Sequence, residues 1–109
     1  MKIDIFAKNL ELTDPIRVFI DDKIGGLTKH FKSTESIKIK VEIARTTKHH
    51  RSGDVYYAEA NLNIDGKLLR ANATNADVRT AITEVKDSLQ AEIKKMKEKR
   101  KDLARQPKE

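Results

Sequence analysis

With 109 residues, of which 37% are charged and only 5% aromatic, the chain has room for one domain around one modest aliphatic core and not for two. A formal net charge of +6 favours an acidic partner such as nucleic acid. The absence of cysteine excludes a disulfide framework, a thiolate metal site and a cysteine nucleophile, and suits the reducing cytoplasm.

Residues 2–7 alternate, with Ile3 and Ile5 on one side, and predict a strand. Thr13, Asp14 and Pro15 supply an N-cap, an acidic residue and a proline where its missing donor costs nothing, so a helix starts there. Its buried stripe is Ile16, Ile20, Ile24, Leu27 and Phe31, with Phe19 at the edge. Gly25 and Gly26 fall inside it and predict a weak or kinked middle, or close packing. His30, near its end, reads as a surface or C-terminal capping residue. Residues 36–45 alternate cleanly, with Ile37, Ile39, Val41 and Ile43 opposite Lys38, Lys40 and Glu42, which is the pattern of a strand with one wet face. Residues 46–54 form a polar connection ending in a glycine turn signal. Tyr56, Ala58, Ala60, Leu62 and Ile64 then alternate with Tyr57, Glu59, Asn61 and Asn63. Asp65-Gly66 signals a tight hairpin into a strand over residues 68–73.

The last third holds one long helix. Thr74 with Asp77 reads as a capping box, and Asn75 competes as N-cap. From Val78 onward, Ala81, Ile82, Val85, Leu89, Ile93 and Met96 recur at helical spacing and form one apolar stripe. Lys94, Lys95, Lys97, Lys99, Arg100 and Lys101 crowd the last turns, where cations suit the helix dipole and a polyanion. The order is β-α-β-β-β-α. It predicts a two-layer α+β domain over residues 1–102, a four-stranded sheet with two helices on one face, and a frayed tail over residues 103–109. No apolar run approaches a membrane span or a signal-peptide core, so a soluble protein without a membrane partner is expected.

Catalytic and cofactor chemistry is not expected. His49 and His50 are neighbours in a polar loop and lack a third ligand and zinc spacing. Asp21 and Asp22 are adjacent on a helix and cannot converge on a substrate. Gly25-Gly26 sits inside a helix and not in a phosphate loop. The sequence therefore points to a non-enzyme with no metal, no cofactor and no small-molecule substrate. Two RNA-binding modules can be tested by element order. A base-stacking sheet needs aromatics on its open face, which here offers only Tyr57 among Lys38, Lys40, Glu42, Glu59 and Asn61; cross-strand lysine and glutamate pairs keeping that face wet are the simpler reading. The last five elements share the order of a double-stranded RNA-binding domain, yet the second helix opens on Asp77 and no lysine. The basic surface is therefore sought along the helices. Helical spacing places Arg79, Lys86, Gln90 and Lys97 in one column beside the stripe, with Lys94 and Lys101 next to it. Glu84, Ser88, Ala91, Lys95 and Lys99 lie on the other flank. The competing reading is a solvated face with pairs such as Glu98 near Lys94, Lys95 and Lys101.

Leu12-Thr13-Asp14-Pro15-Ile16-Arg17, Phe19-Ile20, Lys23, Leu27 and Phe31, then Tyr57-Ala58-Glu59-Ala60, Asp65-Gly66, Leu69-Arg70-Ala71, Asp77, Ala81-Ile82, Leu89, Ile93, Lys95 and Lys97 run in register over nearly the whole chain. Together they resemble the hibernation-promoting factor and ribosome-associated inhibitor family, also called sigma-54 modulation proteins. The resemblance implies the fold just derived and a non-enzymatic translation inhibitor of stationary phase or stress. Such a protein occupies the messenger and transfer RNA channel of the small ribosomal subunit. Its partners would be that subunit and its ribosomal RNA and, for short members, ribosome dimers formed together with a modulation factor. The tail is neither strongly acidic nor a folded domain, so the chain reads as a short form.

The RNA-binding residues expected on this basis are Arg17, Lys23 and Lys29 with Arg79, Lys86, Lys94, Lys95, Lys97 and Lys101. Basic residues common in the family are replaced by Gly26, Ser88 and Ala91, and Arg79 stands where the family has an aromatic. Positive charge is thereby expected on the opposite flank. The alternative is a divergent, non-ribosomal regulator of the same fold that acts through protein contacts.

Overall fold

Strand alternation leaves one face of the sheet apolar, and that face must be covered. In the computed structural model, which describes residues 2–31, 37–46, 55–64 and 66–105 and side chains as far as Lys99, the strands are β1 (Lys2–Lys8), β2 (Lys38–Thr46), β3 (Val55–Ile64) and β4 (Lys67–Asn75). They form one sheet in the order β1-β2-β3-β4, with β1 parallel to β2 and the other pairs antiparallel. A parallel pair needs a crossover. Here it consists of α1 (Asp14–Gly25) and a 3-10 turn (Gly26–His30). The long helix α2 (Val78–Arg105) follows β4, completing the expected β-α-β-β-β-α order.

Ile39, Val41 and Ile43 of β2, Ala58, Ala60, Leu62 and Ile64 of β3, and Leu69 and Ala71 of β4 are buried together with Ile20, Ile24 and Leu27 and with Ala81, Ile82, Val85, Leu89, Ile93 and Met96. One cluster containing both helical stripes means that both helices lie on the same face. Phe19 is half-buried at the edge as expected, and Val78 with it; Ile16 and Phe31, expected in the buried stripe, are also only half-buried, because they sit at the two ends of the helical segment. α2 packs chiefly on β4 and β3. Beneath it, Ala58 pairs with Ala73 and Ala60 with Ala71. This block of small side chains makes room for the branched residues that α2 contributes.

Thr13 caps α1 as expected: its hydroxyl oxygen accepts from the Ile16 amide at 3.4 Å and its carbonyl from the Arg17 amide at 2.9 Å. The start of α2 differs from expectation. Neither Thr74 nor Asn75 caps it, because pairing with Tyr57 and Tyr56 keeps both residues extended in the ladder. Asp77 is the cap, its carbonyl accepting from the Ala81 amide at 3.0 Å and its carboxylate from the Arg79 amide at 3.3 Å and the Thr80 hydroxyl at 2.9 Å. The Asn75 side chain instead accepts from the Asp77 amide at 3.0 Å and turns the chain out of the strand.

The paired glycines end α1 and leave no helix with a kinked middle. The Thr28 hydroxyl donates to the Gly25 carbonyl at 2.8 Å, competing with the α-helical ladder where the chain tightens into the 3-10 turn. A two-residue turn joins β3 to β4, with Ile64 opposite Lys67 and Gly66 at φ +80, a conformation that glycine adopts without strain. α2 continues to Arg105, past the boundary at residue 102 and into the segment expected to fray. Residues 106–109, Asp65 and the polar connection with His49 and His50 lie outside the described residues.

Gly26 has helical dihedrals, φ −61 and ψ −19, and a Cβ there would meet nothing within 4 Å. Close packing therefore does not explain this glycine. Gly26→Ala should stabilise the protein by about 0.4–1 kcal/mol through the unfolded state. The gain would be read as a higher urea midpoint at unchanged slope.

Candidate nucleic-acid interface

With the stripe of α2 turned to the sheet, the column Arg79, Lys86, Gln90 and Lys97 must face α1 and the 3-10 turn. Aromatic rings seat its two ends. The Phe19 ring of α1 has the Arg79 guanidinium 5.6 Å and the Lys23 ammonium 5.7 Å from its centroid. The Lys97 ammonium lies 5.4 Å from the centroid of Phe31 and donates to the His30 carbonyl. A ring face attracts cations, so Lys23 and Arg79 are held close despite their like charge. Between the two ends, Lys23, Lys29, Lys86 and Gln90 line a groove of about 310 Å³, with Asp22 as the acidic member and Gly26 on its wall. A second groove of about 500 Å³ continues along α2 between His30, Lys94, Lys97 and Glu98. From Arg79 to Lys97 the helix rises about 27 Å. Cations along that length suit an extended polyanion better than a single phosphate.

The structure thus gathers Lys23, Lys29, Arg79, Lys86, Lys94 and Lys97 along one seam. Lys95 is not among them: on the far flank of α2, it lies 3.9 Å from Glu92, its side chain 77% exposed. Arg17 is exposed and lines neither groove. Lys101 continues α2, and its side chain lies outside the described residues. Among the described residues, the ion pairs on α2 are Lys86–Asp87 and Lys95–Glu92; of the Glu98 pairs that the competing reading named, those with Lys94 and Lys95 do not form, and Lys101 lies outside the described side chains. Sequence spacing could find the column but not the rings beneath it, because Phe19 and Phe31 reach α2 only through the tertiary fold. His30 supplies a carbonyl for Lys97, while its own buried Nε2 has no partner among the described residues.

The opposite, uncovered face of the sheet is not the stacking platform of a base-reading domain. Tyr57 is not its only aromatic, since Phe6 also lies there, 60% exposed. Yet Phe6 is beside Glu42, which is itself opposite Glu59. Glu59 is 8% exposed and accepts from Arg70 Nε and the Tyr57 hydroxyl, each at 3.0 Å, and from a second Arg70 nitrogen. The Arg70 hydrogen bonds hold its pKa below the ordinary value, with Tyr57 helping and burial opposing. Burial and the bond to Glu59 push the Tyr57 phenol up. The hydroxyl of Tyr57 is thus committed to a carboxylate. This row of the sheet repels phosphate.

The arrangement defines a class: small basic α+β domains whose cationic surface is helical. The chain belongs to the Sigma 54 modulation protein / S30EA ribosomal protein family, whose model matches residues 3–101. It is 31% identical over 97 residues to a ribosome hibernation promotion factor of Lactococcus lactis, a match that covers 89% of this chain and 50% of that one. Identity to a ribosome hibernation promoting factor of Pseudomonas putida is 27%, covering 94% of this chain and 93% of the relative. The chain thus spans about half of one relative and nearly all of the other. The crystal structure of the Thermus thermophilus Protein Y N-terminal domain superposes with a TM-score of 0.74 at 26% identity, covering 88% of this chain and 99% of that domain. No helix among the described residues is long and apolar enough to cross a membrane.

Because the Glu59 pKa is depressed in the fold, its contribution to stability is present above the unfolded-state pKa and is lost as pH falls through the folded value. Thermal melts between neutral and strongly acidic pH should show wild type above Glu59→Gln at neutrality. The gap should close on the acid side of the ordinary glutamate range. A gap that stays constant with pH would mean that the charge of Glu59 contributes nothing.

Proposed function

We propose that this protein is a ribosome hibernation factor, which lays the α1–α2 seam against ribosomal RNA in the messenger and transfer RNA channel of the small subunit and stops translation by occupancy alone. The observation that carries this reading is the alignment of Lys23, Lys29, Arg79, Lys86 and Lys97 along one seam, with aromatic rings fixing both ends. The names of the Lactococcus lactis and Pseudomonas putida relatives support it. The protein acts in the cytoplasm, without a cofactor, and residues 1–102 suffice for docking. Assembly of ribosome dimers with a modulation factor belongs to the same reading.

The reading places the contact on the seam and not on the flank of α2 that carries Ser88, Ala91, Lys95 and Lys99. Co-sedimentation with purified small subunits across a salt series tests this. Replacing Arg79, Lys86 and Lys97 together by glutamate should weaken binding at least tenfold and reduce the salt slope by about two to three, since each lost phosphate contact removes roughly one released counterion. Lys95→Glu with Lys99→Glu should cost much less. A larger loss from the second pair would move the contact to the other flank, and a salt-independent complex would favour protein contacts over RNA.

Phe19 acts through the cations that it seats. Phe19→Leu frees Lys23 and Arg79, which must then be ordered on binding, at about 0.5–1 kcal/mol for each ion–ring contact. Affinity for small subunits should fall by about five- to thirtyfold by that measure, the two contacts together amounting to about 1–2 kcal/mol. Phe19→Tyr keeps the ring and should keep the affinity.

A further inference from the structure

The register of the sheet sorts charge along its uncovered face. Lys2 lies beside Lys38 and Lys38 beside Asn63; Asp4 beside Lys40 and Lys40 beside Asn61; Phe6 beside Glu42 and Glu42 beside Glu59. Lysine thus meets lysine at one end, and glutamate meets glutamate at the other. Between the two ends the register sets Lys40 beside Asp4, the opposite-charge arrangement of a face that has to stay wet, but no lysine faces a glutamate. Like charges directly opposite each other oppose sheet pairing. Arg70 relieves the acidic end by binding Glu59, whereas Lys2, Lys38 and Lys40 take part in no ion pair among the described residues. These three lysines, with Asp4, Asn61 and Asn63, frame an open groove of about 640 Å³. Leu68, 61% exposed, stands at its margin.

We infer that this groove docks an acidic, extended polypeptide segment of a partner protein. Three ammonium groups face one carboxylate, so the groove complements negative charge. Lys38 and Lys40, like Asn61 and Asn63, are two residues apart on adjacent strands, a spacing of about 6.8 Å. An extended segment presents alternate side chains at the same interval. Carboxylates at alternate positions meet the lysines, the two amides both donate to and accept from the segment's backbone, and Leu68 takes an apolar side chain. A nucleic acid fits less well: its charge repeats at every step and would run from the lysines onto Glu42 and Glu59. A second copy of this chain would bring the same positive excess to the interface. Because the helices occupy the other face of the sheet, the groove stays open while the seam is engaged.

The test is an NMR titration of the isotope-labelled full chain with a hexaglutamate peptide and, separately, with a short single-stranded RNA. The peptide should shift the amides of Lys38, Lys40, Asn61 and Asn63 saturably, and the RNA those of the seam. Lys38→Glu with Lys40→Glu should weaken the peptide at least about tenfold and leave the RNA within about twofold, as expected for reversal of charges that meet the ligand directly. Glutamate at position 38 would face Lys2 but at position 40 would face Asp4, so the glutamine pair, which sets no like charge opposite Asp4, is the control for the fold. Lys38→Gln with Lys40→Gln should weaken the peptide in the same direction with no charge added. The proposal is overturned if the peptide shifts the seam, if it fails to saturate, or if the RNA shifts the groove amides. The last result would make this face a second RNA surface. None of these outcomes bears on the co-sedimentation of small subunits through the seam.

Discussion

One helical stripe carries the architecture. Ala81, Ile82, Val85, Leu89, Ile93 and Met96 fix the rotation of α2 about its axis, because only one orientation places all six against the sheet. The alanine block on β3 and β4 lets that stripe come close. Everything charged on α2 is then located by subtraction. Arg79, Lys86 and Lys97 have to face α1, while Lys95 and Lys99 have to face away from it. The position of the cationic seam is thus a consequence of core packing and needs no separate device to aim it.

The chain has three phenylalanines, and two of them lie under cations of the seam. A lysine or arginine in water samples many rotamers, and a ligand that immobilises it bears that entropy. Rings that hold Lys23, Arg79 and Lys97 near fixed positions lower this cost before any ligand arrives. The two faces of the molecule follow different charge logic. On the helical side like charges are drawn together by aromatic groups, and on the sheet side they are set together by register.

Much of this was legible in the sequence, because periodicity is a local property. The alternation of β2 and β3 and the stripe of α2 fixed element type, order and the buried set. The cationic column followed from the same angular reading. What escaped were features that depend on partners distant in sequence. Thr74 and Asn75 are as good caps as Asp77 in isolation; only pairing with β3 holds them extended. Expecting lysine to meet glutamate on the open face was reasonable from composition, but which residue lies opposite which is decided by register. The presence of Phe6 on that face was readable from the alternation of Ile3 and Ile5. Lys95 was drawn into the RNA-binding set by resemblance and lies apart from the seam because α2 turns it outward.

The parallel pairing of β1 with β2 has a consequence for the order in which the fold assembles. β2, β3 and β4 are joined by successive antiparallel connections, so their ladders close over short chain separations. β1 reaches β2 only across residues 9–37, after the crossover is in place. Loop-closure entropy and the need for a docked α1 make that ladder the last to form. A ladder that closes late is expected to open early, in a partial unfolding that leaves α2 seated on β3 and β4. Ile3 and Ile5, half-buried at the sheet's edge, act as a latch. Its release strips one edge from the molecule while the cation-bearing helix keeps its seat.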